Sequence, residues 1–239
     1  MRFSTTLLSA VAFAGSGTHA LFLPHGSNFT FPTDIVDSGA LSARGVQGPG
    51  QGTFDGFFWT NFVTSGFNLV FTNIAGGQYE AQWSGSGDFV VGQGFNPGSK
   101  SRVINFSASW GPNPASAAIL SVYGWSTNPL VEYYINEDAN AFNLGTANSG
   151  TTHKGTVVSD GSTYDIYEHT QVNQPSIIGT ATFNQYLSVR QNKRTSGSVT
   201  VQNHVNAWAA LGMNLGTMNY QVMAVEGLSS SGQATVTIH

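Results

Sequence analysis

Cysteine is missing from this chain and charge is scarce: 8% of its 239 residues are Asp, Glu, Lys or Arg, and Lys and Arg together number 8. Without thiols there are no disulfides and no thiolate metal sites, so stability must come from one hydrophobic core and from backbone hydrogen bonds. A formal net charge of -4 with so few basic residues leaves no positive stripe to track phosphates or anionic lipid, which argues against nucleic acid and membranes as partners. Long apolar runs are missing too. The run near the N-terminus, Leu7 to Ala14, falls well short of the roughly 20 residues a membrane-spanning helix needs. What the chain has instead is 29 Gly, a supply of Ser, Thr and Asn, and an aromatic share of 12%. Such a surface offers neutral hydrogen bonds and ring faces, which suit a hydroxyl-rich, uncharged ligand.

The opening residues MRFSTTLLSAVAFAGSGTHA carry Arg2, that apolar run and a small-residue end at Thr18-His19-Ala20. This is the pattern of a signal peptide over residues 1–20, and it predicts a secreted, extracellular protein. Residues 21–50 contain Pro, Gly and Ser without sustained periodicity and read as a propeptide or loose N-terminal arm, either cut after Arg44 or left as an unprocessed extension. Residues 51–239 are long enough for one domain with one large core. Two sequons, at Asn28 and Asn105, are glycan acceptors by pattern; Asn28 is the better candidate because Asn105 falls inside a predicted strand.

From Thr53 onward, short runs rich in Phe, Tyr, Trp, Val, Ile and Thr alternate with Gly, Asn and Ser breaks, for example GFFWTNFV, FNLVFTNI, QYEAQWS and AILSVYGW. A dozen or so such runs with closely spaced turns predict an all-β, antiparallel, two-sheet architecture rather than alternating strands and helices. One segment differs. NHVNAWAALG places His204, Trp208 and Leu211 at helical spacing and ends on Gly212, predicting a single short helix with a glycine cap.

The 12 acidic residues are few enough to weigh singly. Asp34, Asp37, Asp55, Glu137, Asp138 and Asp160 sit beside turn residues and are expected in solvent. Glu80, Asp165 and Glu168 alternate within strands and are expected to face water. Glu132 and Glu226 differ. Alternation puts Leu130, Glu132 and Tyr134 on one face of a strand, with Val131, Tyr133 and Ile135 on the other. In YQVMAVEG, Tyr220, Val222, Ala224 and Glu226 share a face. Neither strand has a plainly wet side, and an ionised carboxylate among apolar neighbours is costly unless it has a partner or a task. Two readings stand. Each Glu is paired with a basic residue, Arg102, Lys154 and Arg190 being those outside the leader, arm and turns, or is hydrogen-bonded by Tyr; alternatively, both face one cleft, as cleavage of a glycosidic bond requires. Asp88, in SGSGDFVVGQGF, reads on its own as a cap at the start of a strand.

Taken together, SVYGWSTNPLVEYYI (Ser121–Ile135) and YQVMAVEG (Tyr220–Gly227) resemble the two active-site signatures of glycoside hydrolase family 11, the small endo-1,4-β-xylanases. VNQPSIIGTATFNQYLSVR (Val172–Arg190) resembles the family's thumb loop and following strand, and SGSVTVQNHVNAWAALG its single helix. The likeness runs from about Gly50 to His239, so that residues 51–239 are expected to be the catalytic domain. It implies a β-jelly roll of two curved antiparallel sheets with a concave cleft, a thumb hairpin loop and one short α-helix, working as a monomer on xylan without metal or organic cofactor. Under the resemblance Glu132 is the nucleophile and Glu226 the proton donor and acid/base of a retaining mechanism. Tyr123 and Tyr134 hydrogen-bond around the nucleophile and reacting sugar, Gln185 lies beside the sugar, Tyr220 lines the cleft, and Pro175, Ser176 and Ile177 form the thumb tip. Asp88 falls where the family carries Asn or Asp beside the acid, and Asp there goes with acidic pH optima. Phe62 stands where the family has a sugar-stacking Trp. Thr53, Ile119 and Leu228 replace Tyr, Phe95 replaces Trp, and Gln171 replaces an Arg that supports the thumb, each a ring or donor worth on the order of 1 kcal/mol. The implied activity is a secreted endo-1,4-β-xylanase acting on plant cell-wall xylan. The alternatives are a diverged xylanase-like protein with a carbohydrate-binding or plant-interaction role, and a non-catalytic jelly-roll lectin.

Overall fold

Strict alternation in QYEAQWSG turns Tyr79, Ala81 and Trp83 inward and leaves Glu80, Gln82 and Ser84 outward, which makes Gln78–Gly85 a strand with one dry face. The same logic repeats along the chain. The computed structural model describes residues 44–141, 145 and 150–239, and within them fifteen strands, numbered here in chain order, form two sheets. The expected leader, most of the expected arm and the Asn28 sequon lie outside the described residues.

The smaller sheet has the order β1 (Arg44–Gln47), β4 (Phe67–Ile74), β5 (Gln78–Gly85), β15 (Ser231–Ile238), β7 (Val103–Pro112), β13 (Ser196–Thr200). The larger runs β10 (Thr152–Ser159), β11 (Ser162–Ser176), β12 (Gly179–Arg190), β9 (Val131–Ala139), β8 (Ala117–Thr127), β14 (Thr217–Leu228), β6 (Asp88–Phe95), β3 (Phe57–Val63), β2 (Gly50–Phe54). Between the sheets lies the main core, with Phe71, Tyr79 and Trp83 from one side and Phe89, Leu120, Tyr133, Ile135 and Met223 from the other. A second cluster, including Tyr123, Trp125, Tyr134, Phe183 and Tyr220, covers the opposite face of the larger sheet. Strands β8, β9 and β14 are therefore buried on both faces, which is why Glu132 and Glu226 have no wet side.

Two expectations need correction. The sheets are not wholly antiparallel, because β12 pairs with β9 in parallel, Gln185 lying beside Glu132. The loose arm also stops short of residue 50. Arg44–Gln47 is paired with β4, and Arg44 holds Glu80 at 2.7 Å, so a cut after Arg44 would fall within a hydrogen-bonded strand. The Gly- and Gln-rich RGVQ and GQGTF lack the β-branched density that marks strands, which hid them in the sequence. Asn105 is in a strand as expected, with an exposed side chain whose Oδ1 accepts from Ser198 Oγ at 2.6 Å.

The helix α1 (Val201–Ala210) carries His204 and Trp208 into the core and ends at Gly212, whose φ of 80° is the left-handed value that favours glycine. Its start is tied by Asp160, whose carboxylate accepts from the Thr200 N–H at 2.8 Å and the Thr200 hydroxyl at 2.7 Å. Asp160 is thus not simply solvated. Nor is Glu137, which is fully buried, accepts from the Tyr164 hydroxyl at 2.7 Å and pairs with Arg194. Their turn-like neighbours misled because β9 runs on to Ala139 and because Asp160, though in a turn, faces the helix. Glu80, Asp165 and Glu168 do lie towards solvent, facing Arg44, His153 and Lys154.

His204 packs edge-on against Tyr164 at 4.6 Å, and neither of its ring nitrogens has a hydrogen-bond partner. Burial pushes its imidazole down to about 4, with Asp160 pulling upward and Arg190 and Arg194 pushing further down. The unfolded chain takes up a proton near pH 6.5 that the folded chain refuses, so this contribution is whole above that pH and is lost as pH falls towards 4. The expected loss is about 2–3 kcal/mol between pH 7 and pH 4. Urea unfolding of His204→Leu at the two pH values should show a correspondingly smaller pH dependence than wild type. An unchanged difference between the two pH values would remove His204 from this role.

Candidate active site

The face of the larger sheet that carries the second cluster is assembled by register. Tyr134 of β9 lies opposite Tyr123 of β8, Glu132 lies opposite Trp125, and Gln185 of β12 stands beside Glu132. On the other flank Glu226 of β14 lies opposite Ile119 of β8 and Val90 of β6, and Val90 faces Phe62 of β3. Alternation keeps all of these side chains on one face.

Glu132 is 1% exposed, and both its oxygens are engaged. Oε1 accepts from the Tyr123 hydroxyl at 2.8 Å and the Tyr134 hydroxyl at 3.2 Å, while Oε2 accepts from Gln185 Nε2 at 2.6 Å. Trp125 Nε1 donates to the Tyr123 oxygen at 2.8 Å and so sets that phenol's direction. Burial pushes the Glu132 carboxyl up to about 7 against the pull of these three donors. None of the basic residues weighed as partners supplies a counter-charge. Arg102 bonds Gln221 and lies over Phe95, Lys154 bonds Glu168, and Arg190 bonds Tyr164, Asp160 and Asn192.

Glu226 is 3% exposed and is pushed well above the usual carboxylate range, first by burial and then by the neighbouring carboxyls of Asp88 and Glu132. Tyr134, whose hydroxyl donates to Glu132, pulls the other way. Its Oε2 is buried without a hydrogen-bond partner. Three donors favour the anion of Glu132, whereas Glu226 has two carboxyl neighbours, so Glu226 is the member of the pair held more strongly in its neutral form. Asp88 does more than begin a strand: it is 2% exposed, lies opposite Leu228 on the face of Glu226, and its backbone is clamped by Thr64.

The hairpin of β11 and β12 brings Pro175 opposite Thr180 and Ser176 opposite Gly179. Ser176 Oγ donates to the Gly179 carbonyl at 2.6 Å and accepts from the Ile178 N–H at 3.2 Å, closing the tip, and Ile177 packs on the second cluster. Tyr220 stacks on Phe58 at 5.3 Å and lies 5.9 Å from the Tyr123 ring. Of the departures, Ile119 is buried beside Glu226 and Thr53 is exposed on the edge strand opposite Phe58. Phe95 does not belong with them: it packs on the main core, with Arg102 4.0 Å above its ring. Trp125, Phe58 and the pairing of Gln171 with Gln185 were not foreseen. Phe58 was within reach of sequence reasoning, since it shares its strand face with Phe62, but the other two depend on contacts between strands.

The family model described as glycosyl hydrolases family 11 matches residues 54–237. The endo-1,4-beta-xylanase 2 of Rhizopus oryzae is 52% identical over 198 residues, covering 83% of this chain and 89% of that protein. The ethylene-inducing xylanase 1 of Botryotinia fuckeliana is 48% identical over 222 residues, 92% of this chain and 73% of that one. A solved structure from work comparing two major endo-1,4-beta-xylanases of Trichoderma reesei has 54% identity and a TM-score of 0.69, and the match covers 75% of this chain and 96% of that chain.

Proposed function

Because the chain belongs to glycoside hydrolase family 11 and is by that kinship an endo-1,4-β-xylanase, we propose that it is secreted and cuts internal β-1,4 bonds of plant cell-wall xylan with retention of configuration. Secretion rests on the leader pattern at residues 1–20. The observation that carries the chemistry is the pair of buried carboxyls on one face of the sheet, Glu132 held by Tyr123, Tyr134 and Gln185 and Glu226 pushed up by its carboxyl neighbours, neither with a basic partner among the described residues. Glu132 is among the groups that push Glu226 up, which supports the close pairing of carboxyls that a retaining mechanism needs.

In this reading the Glu132 carboxylate attacks the anomeric carbon while Glu226 gives its proton to the departing glycosidic oxygen, leaving a glycosyl ester on Glu132. Esterification removes one of the negative charges that hold Glu226 protonated. Glu226 then accepts a proton from the incoming water, which releases the sugar and restores both groups. Tyr123, Tyr134 and Gln185 hold the nucleophile, Tyr220 and Phe62 offer rings to the chain, and Pro175, Ser176 and Ile177 cover it from the thumb. Proton NMR of a xylohexaose digest should show the β-anomer of the new reducing end before mutarotation. An α-anomer first would overturn retention, and no release from xylan at any pH would overturn the enzyme reading.

The optimum should lie in acid. The limbs of the profile belong to Asp88, Glu226 and Glu132 as a coupled cluster, not to Glu132 alone. Asp88 adds a carboxyl of intrinsically lower pKa, which draws the first ionisation of the cluster to lower pH. Burial of Glu132 acts in the opposite direction, so the decisive comparison is between variants. Asp88→Asn should move the acid limb of the kcat/KM profile towards neutrality by about one pH unit. The proposal fails if the two profiles superpose or if the wild-type optimum is neutral or higher.

A further inference from the structure

Beside Glu132 the sheet carries a line of two glutamines. Gln185 Nε2 donates to Glu132 Oε2 at 2.6 Å, and Gln171 Nε2 donates to Gln185 Oε1 at 3.0 Å. All three residues are buried, and Gln171 Oε1 has no hydrogen-bond partner. Resting on the xylanase reading, we propose that Gln171 is a positioning residue for the nucleophile: it fixes which end of the Gln185 amide faces Glu132.

An amide has a donating end and an accepting end, whereas an ionised carboxylate only accepts and a protonated one also donates. If Gln185 were free to turn over, its carbonyl would receive the proton of a neutral Glu132, and the turn would reward protonation of the nucleophile. Gln171 opposes that turn. With Gln185 reversed, two amino groups would confront one another in a buried site, where a donor without an acceptor is costly. Reversing both amides repairs the contact between them but places the Gln171 amino group where its carbonyl now has no partner, exchanging one unmet acceptor for unmet donors. The line therefore has a preferred direction, and that direction favours the anion of Glu132.

The other titratable groups around Glu132 are Tyr123, Tyr134 and Tyr220, kept un-ionised by burial, Glu226 with Asp88 beyond it, and His169, opposite Gln185 on β11. None of them lies in the hydrogen-bonded line, so Gln171 can be changed without removing them.

Gln171→Met is nearly isosteric and removes the donor without adding charge, while Gln171→Arg restores a donor that has no accepting end. In the unliganded protein, carboxyl carbon-13 NMR titration should place the Glu132 midpoint higher in Q171M than in wild type, and in Q171R at or below the wild-type value. In kinetics, the acid limb of kcat/KM should move up in Q171M, with a loss of about fivefold to tenfold on that limb and little loss beyond it. An unmoved Glu132 midpoint with kcat/KM lowered equally at every pH would reduce Gln171 to a support for the hairpin and overturn the proposal. If Q171M does not fold, Q171R decides, since a midpoint above wild type in that variant has the wrong sign. The titration does not depend on turnover. A wild type inactive on xylan would sink the enzymatic reading and leave this test standing.

Discussion

Replacing Glu132 by Gln should abolish xylan hydrolysis and make the protein more stable above pH 7. Loss of a nucleophile that works as a unit with its neighbours lowers kcat on the order of 10⁴- to 10⁶-fold. Glutamine cannot attack the anomeric carbon, and the three donors that hold Glu132 do not supply a substitute. The gain in stability follows from the same burial. The carboxyl is pushed up from 4.5 to about 7 on folding, so from pH 4.5 upward the unfolded chain gives up a proton that the folded chain keeps. Stability from this group is whole below pH 4.5, falls as pH rises through 7, and is then lower by about 3 kcal/mol. Thermal unfolding of Glu132→Gln should coincide with wild type at pH 4 and exceed it by roughly 5–10 °C at pH 8. A variant less stable than wild type at both pH values would mean that the hydrogen bonds to Glu132 outweigh its desolvation.

Glu226→Ala should separate the two steps of the reaction. On xylan, whose departing hydroxyl is a poor leaving group, kcat should fall about 10³- to 10⁴-fold, because the proton normally supplied by Glu226 is gone. An aryl xylobioside with a nitrophenolate leaving group needs little protonation, so its first step should survive. Water would then attack without a base, and the glycosyl ester on Glu132 should accumulate as a burst of nitrophenol equal to the enzyme present. Azide, which needs no base, should restore turnover and give the β-glycosyl azide. Equal losses on both substrates, or rescue giving the α-azide, would remove Glu226 from the acid/base role. Glu226 Oε2, buried and without a partner, is the atom that would present the proton.

Much of this molecule can be read from its sequence because alternation carries physical information wherever one or both faces are dry. QYEAQWSG and the double-sided VEYYIN marked their strands, and His204, Trp208 and Gly212 marked the helix. Local cues failed where the deciding contact was distant. Glu137 looked like a turn acid because nothing nearby in sequence announces Arg194 or Tyr164. Phe95 took its place on the core face from the register of β6 with β14. Glu132 and Glu226 were legible as misplaced charges, but the donors that hold Glu132 and the direction imposed by Gln171 appear only once β8, β9, β11 and β12 lie side by side.

The place of β15 governs how this fold can be built. Ser231–Ile238 lies between β5 and β7, so the strands β1, β4 and β5 on one side share no ladder with β7 and β13 on the other until it is inserted. The segment that comes off the ribosome after all fourteen other strands is thus the one that joins the halves of the smaller sheet. Its partners wait across the longest sequence separations in that sheet, the kind of contact that slows folding most. Until it arrives, β5 and β7 each present an open edge, and the floor beneath the carboxyl-bearing sheet is in two pieces.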